Sequence, residues 1–184
     1  MNIVVATDLH GVTEPLREQF CNVFGAHDIV FLSPWEMALN PYPNEQAAHQ
    51  AFLAQNGFEV YREKIAQAVA SFRQEPIVLI GFSVGATAAW LSATDEVTVN
   101  VRYWLFYGSR IRDYLHAHPK TKPITTIWAE HEYSFCPADV HRQLIDKGVL
   151  SEWVPNTSHG FMNPRSVYYR EDLFLQYLLQ IKNG

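Results

Sequence analysis

With 184 residues, 48% of them apolar and 18% charged, and a formal net charge of -5, the chain is long enough to bury the core of one domain without metals or disulfides, and residues 1–184 are expected to form it. The balance offers no basic face for nucleic acid and no polybasic signal for a membrane surface, and no stretch nears the roughly 20 consecutive apolar residues of a membrane span. Cys21 and Cys136 lack Cys-x-x-Cys spacing and the opening Met-Asn-Ile-Val-Val-Ala lacks the regions of a signal peptide, so a soluble cytoplasmic protein with reduced thiols is expected.

Along the chain, short runs rich in branched residues alternate with amphipathic stretches. Ile3 to Ala6 reads as a strand and Glu14 to Phe24 as a helix, followed by a strand at Ile29 to Leu32. Helical patterns at Asn44 to Gln55 and Val60 to Phe72 lead to a strand at Ile77 to Ile80, with a small-residue helix from Ala86 to Leu91 after it. Strands at Val101 to Tyr107, Ile124 to Trp128 and Val149 to Val154 precede a last helix at Ser166 to Ile181. Six strands alternating with helices imply an α/β fold: a mostly parallel sheet covered on both faces in a three-layer sandwich. The Pro- and Asn-bearing segment Ser33 to Asn44 is a loop over the sheet edge rather than a linker.

The strongest local signal is Gly81-Phe82-Ser83-Val84-Gly85, directly after one strand and directly before a helix. A serine at such an apex is held in a strained turn that exposes its hydroxyl. Glycine at the flanking positions lets strand and helix backbones pass closely. In an open parallel sheet ligands bind beyond the carboxyl ends of the strands. Four loops there carry reactive residues: Thr7-Asp8-Leu9-His10-Gly11, the Ser83 turn, Ala129-Glu130-His131-Glu132, and Asn156 to Phe161 with His159.

A serine hydroxyl is a weak nucleophile at neutral pH. It needs a base to take its proton and a carboxylate to orient that base and stabilise its charged form. The order Ser83, Glu132, His159 fits a hydrolase in which the acid follows a later strand and the histidine the last one. Glu130 and Asp139 are rival acids. The backbone N–H groups of Leu9 and Val84 are the expected oxyanion donors, and Gly11 keeps the first loop tight.

The first-loop Thr7-Asp8-Leu9-His10-Gly11, the serine turn, Trp104 to Tyr107-Gly108, the acid loop and Ser158-His159-Gly160-Phe161-Met162-Asn163 together resemble the dienelactone hydrolase family over nearly the whole chain. The resemblance implies an α/β-hydrolase fold and hydrolysis of an ester or lactone. It also implies that Asp8, which matches a glutamate of the family's first loop, lies close to the nucleophile. Three features depart from the family pattern. Ser83 stands where founding members carry cysteine, Ala129 replaces the usual glycine of the acid loop, and Glu132 is one methylene longer than the commoner aspartate. The first core strand lies almost at the start of the sequence, so six strands in the order 2-1-3-4-5-6 are expected, without the antiparallel strands that usually open the fold.

Asp8, His10, Arg110 and Tyr107 are further candidates for tuning the site or binding substrate. Asp8 could equally cap the helix that starts near Thr13-Glu14-Pro15. Arg110 could pair a substrate carboxylate through its planar fork or simply be solvated. Trp35, Tyr42, Trp104, Tyr107, Tyr133 and Phe161 could shape an acyl pocket or be plain core. His116 with His118, and His131 with His141, lack the spacing of a zinc site. No Gly-x-Gly-x-x-Gly follows the first strand and no phosphate-binding Gly-Lys-Ser/Thr occurs, so no cofactor is required. The expected function is therefore that of a serine hydrolase acting through an acyl-enzyme on a small ester, thioester or lactone. The alternative is a non-catalytic hydrolase-like domain that binds a small ligand or partner at the same rim.

Overall fold

A computed structural model describes residues 2–25, 29–72, 75–94, 100–120 and 123–184. Its sheet has six strands: β1 (Asn2–Ala6), β2 (Ile29–Leu32), β3 (Ile77–Phe82), β4 (Val101–Phe106), β5 (Ile124–His131) and β6 (Leu150–Ser158). Their order is β2-β1-β3-β4-β5-β6, as the sequence predicts. All five strand pairings are parallel. The helices are α1 (Glu14–Phe24), α2 (Glu45–Ala54), α3 (Gly57–Ser71), α4 (Val84–Ser92), α5 (Pro137–Asp146) and α6 (Glu171–Asn183), with a short 3-10 helix at Ser109–Tyr114.

Because side chains alternate across a strand, β1, β3, β4 and β5 each feed two cores. Val4, Leu79, Tyr103, Leu105 and Trp128 face a cluster built with Phe52, Tyr61, Ile65, Trp90 and Leu144 of α2, α3, α4 and α5. Ile3, Val5, Ile80, Phe82, Phe106 and Ile127 face the other cluster, built with Phe20 of α1 and Phe174, Tyr177 and Leu178 of α6. β3 is buried at all six positions, which is why it reads as a continuous apolar run rather than an alternating one.

Element boundaries follow local chemistry. Thr13 precedes α1 and Pro15 occupies its first turn. The Asn44 side chain caps α2 by accepting from the Ala47 N–H at 2.8 Å. Four boundaries differ from expectation by three residues or more. α3 starts three residues before Val60, at Gly57, and α6 starts at Glu171 rather than Ser166. Residues 160–170 instead form a loop of turns, closed where the Arg170 N–H donates to the Phe161 carbonyl at 2.9 Å. β5 and β6 run on to His131 and Ser158, because their pairing continues past an irregularity. From the pair Ala129/Val154 to the pair His131/Ser158, β5 advances two residues and β6 four. The surplus includes Asn156 at φ 55, whose N–H is held by the Glu130 carboxylate at 2.7 Å. Such a bulge bends the strand and re-aims the residues beyond it, here His159.

At the carboxyl edge, the fully buried Tyr61 of α3 places its hydroxyl 2.7 Å from the Leu32 carbonyl and 3.1 Å from that of Thr7. This strut ties the ends of β1 and β2 to the helix layer and fixes where the first loop departs.

Candidate active site

Ser83 sits between β3 and α4 at φ 52, ψ -112, a conformation that side-chain-bearing residues rarely adopt. The neighbours that impose it are glycines for steric reasons. A Cβ on Gly81 would stand 2.6 Å from the Ala86 Cα, and one on Gly85 would stand 2.3 Å from the Ala6 carbonyl oxygen. The Ser83 N–H donates to the Phe106 carbonyl at 3.0 Å, extending the β3–β4 ladder to the apex of the turn.

The loop after β6 brings the His159 ring back to this apex, with Nε2 3.0 Å from the Ser83 Oγ. On its far side Nδ1 lies 2.8 and 3.0 Å from the two Glu132 carboxylate oxygens. An ionised carboxylate only accepts, so Nδ1 carries the proton and donates to Glu132. In the neutral ring Nε2 is then an acceptor facing the serine hydroxyl. Beneath the ring lies Tyr107, fully buried, at φ 38, with centroids 4.9 Å apart. A main-chain bond from the Tyr107 N–H to the Ile127 carbonyl, 2.7 Å, holds that residue in place.

The Glu132 side chain is 5% exposed and His159 26% exposed, so this pair is largely desolvated. Burial alone pulls the His159 pKa down. The hydrogen bond and charge of Glu132, followed by the charges of Asp8 and Glu45, outweigh it and leave the pKa raised from 6.5. The rival acids serve elsewhere. Glu130 accepts from the Asn156 N–H and lies 3.7 Å from His131, and Asp139 faces Arg142 at 3.8 Å on the surface.

Two adjoining cavities open on Ser83. One of about 410 Å3 is walled by Asp8, His10, Glu45, Glu132, Tyr133 and Tyr168, and the other, about 380 Å3, by Val84, His49 and Arg110, with Leu9, Glu45 and His159 common to both. Tyr133 and Tyr168 hydrogen-bond through their hydroxyls at 2.9 Å, joining the loops after β5 and β6 at the mouth. Asp8 does not cap α1. One of its oxygens accepts from the His10 N–H at 3.0 Å and the other from the Asn163 side-chain amide. Burial raises the Asp8 pKa, against the lowering influence of His10, Asn163 and His159.

The remaining sequence candidates divide clearly. His10 lines the larger cavity. Arg110 lines the smaller one, where its Nη1 donates to Asp113 at 3.0 Å. Of the aromatic residues, Tyr133 reaches the cavity, whereas Trp104, Tyr107 and Phe161 are core and Trp35 packs on Tyr42 while donating to the Leu9 carbonyl at 2.9 Å. Among the described residues no group of three or more His, Cys, Asp or Glu is placed to hold a metal ion, and no helix is long and apolar enough to cross a membrane. Glu45 and His49 line the two cavities without being singled out by the sequence pattern, and Asn163, marked there only as the end of the motif that carries His159, lines the larger one. Glu45 and His49 sit near the start of α2, where helical periodicity assigns them only a solvated face.

The order of strands, the two helical layers and a serine turn at the β3–α4 junction define the α/β-hydrolase fold. Solved structures share it. The chain superimposes on esterase PE8 with a TM-score of 0.61 and 15% identity, covering 99% of this chain and 92% of that one. On a dienelactone hydrolase-like promiscuous phosphotriesterase from metagenomic libraries the TM-score is 0.64 at 11% identity, over 99% and 84% of the two chains. In sequence, the chain is 32% identical to YczH, an uncharacterized protein of Bacillus subtilis strain 168, over 99% of this chain and 91% of that protein. The profile of the dienelactone hydrolase family matches residues 35–174, and the chain belongs to that family.

Proposed function

We propose that this protein is a serine hydrolase that cleaves a small ester, thioester or lactone through an acyl-enzyme on Ser83. The observation that carries this reading is the unbroken hydrogen-bonded chain from the Ser83 Oγ to His159 Nε2, and from His159 Nδ1 to Glu132. His159 Nε2 takes the hydroxyl proton as Oγ attacks the substrate carbonyl carbon, and Glu132 stabilises the resulting imidazolium. The negative charge that develops on the carbonyl oxygen falls between the N–H groups of Leu9 and Val84, which border the smaller cavity. Collapse of the tetrahedral intermediate breaks the bond to the leaving oxygen or sulfur, which receives the proton from Nε2. Water then enters, gives its proton to Nε2 and attacks the acyl carbon, and the free acid departs as Ser83 regains its proton. The volumes of the two lobes suit small substrates, with the scissile carbonyl at their junction.

Ser83→Ala removes the nucleophile and leaves the packing of the turn unchanged. Turnover of p-nitrophenyl butyrate should fall by about a thousandfold or more, with the far-UV circular dichroism of the wild type retained. Activity preserved in that variant would rule the reading out.

A further inference from the structure

We propose that Asn163 is a positioning residue for this reaction, bracing the loop that carries the Leu9 N–H against the loop that carries His159; the role rests on the serine-hydrolase reading above. Asn163 is 7% exposed, and both ends of its amide are engaged in opposite directions. Its Oδ1 accepts from the Arg165 N–H at 2.8 Å, which fixes Nδ2 as the end that donates to the Asp8 carboxylate across 155 residues of chain. The Asn163 N–H donates to the Gly160 carbonyl at 2.9 Å, so the side chain is stapled to the residue that follows His159.

On the other side of the bridge, both Asp8 carboxylate oxygens are held, one by Asn163 and one by the His10 N–H. The Asp8 carbonyl accepts from the Gly11 N–H at 3.1 Å. In a planar trans peptide the C=O and N–H point in opposite directions, so anchoring the Asp8 carbonyl sets the direction of the Leu9 N–H. The Val84 N–H needs no such brace, because it begins a buried helix. The Leu9 N–H lies in a loop, and an oxyanion donor acts only if its direction is fixed before charge develops. The bridge supplies that fixation and couples it to the loop of the base.

Asn163→Asp is nearly isosteric and keeps the acceptor for the Arg165 N–H, but it sets a second carboxylate against Asp8. Its kcat on p-nitrophenyl butyrate should fall about tenfold to a hundredfold, with KM within about twofold of wild type. Asn163→Ala, which removes the brace without adding charge, should also lose kcat, by a smaller factor. The decisive variant exchanges the partners, Asp8→Asn with Asn163→Asp. Every bond described can form again with donor and acceptor swapped, and kcat should return to within about threefold of wild type. A merely structural loss at position 163 would not be repaired by a second substitution in the first loop. Wild-type kcat in both single variants at Asn163, or a double variant no faster than Asn163→Asp, would overturn the proposal. Turnover by the wild type, lost in Ser83→Ala, is the control: an inactive wild type ends the hydrolase reading and this role with it.

Discussion

The titration of His159 is where the chemistry of single residues becomes measurable. Three carboxylates, Glu132, Asp8 and Glu45, raise its pKa against the effect of burial. Attack requires the neutral imidazole, so kcat/KM should rise with pH and level off, with a midpoint above 6.5. Glu132→Gln removes the largest raising influence and leaves burial opposing protonation, so the midpoint should move down. The amide can also donate to Nδ1 and so favour the wrong tautomer, and kcat should drop by about a hundredfold or more. A pH profile of the two proteins checks both signs, and an unmoved midpoint would show that Glu132 does not govern the base. Ser83 and His159 were legible in the sequence because the turn glycines and the position after the last strand are local signals. The acid was less sharply marked: the sequence favours Glu132 but leaves Glu130 and Asp139 as rivals, because only the path of the chain beyond β5 decides which carboxylate meets the ring. The Asn163–Asp8 contact was invisible, since nothing local relates positions so far apart in the chain.

For the elements, legibility tracked how strongly a segment punctuates itself. Strands β1 to β4, bounded by turn residues and rich in branched side chains, lie close to where their pattern placed them. α2 carries its own cap, Asn44, and so its start was readable. The start of α6 was missed because Ser166 to Arg170 continues the apolar spacing, while turn bonds around Asn163 and Ser166 hold the backbone out of the helix. The extensions of β5 and β6 depend on a pairing between strands, which no single segment encodes. The passage between β3 and α4 is the element whose geometry the chemistry most depends on. Gly85→Ala would push a methyl group onto the Ala6 carbonyl, a backbone atom of β1 that cannot yield without moving the strand beside it. A loss of about 2 kcal/mol or more is expected in urea unfolding, together with loss of turnover. A change below about 0.5 kcal/mol would contradict the close-passage account.

Across the whole molecule, the parallel sheet gathers its reactive loops on one edge. The ends of β1, β3, β5 and β6 supply Leu9, Ser83, Glu132 and His159 respectively, and the helical layers on either face hold those strand ends in register. The fold class could be read from alternation alone, because every helix between parallel strands must cross back over the sheet, whereas the strand order was expected from the resemblance to the family. What alternation could not convey was the interior of the site, namely its two lobes and the acidic side chains around the base. All of these groups matter only if Ser83 becomes acylated, so the most direct measurement is the mass of the intact protein after treatment with a fluorophosphonate, with the adduct mapped by peptide sequencing. The account predicts one adduct per chain, on Ser83, formed at least about a hundredfold more slowly in His159→Ala. A folded wild-type protein that stays unmodified at Ser83, or one labelled equally fast without His159, would contradict it.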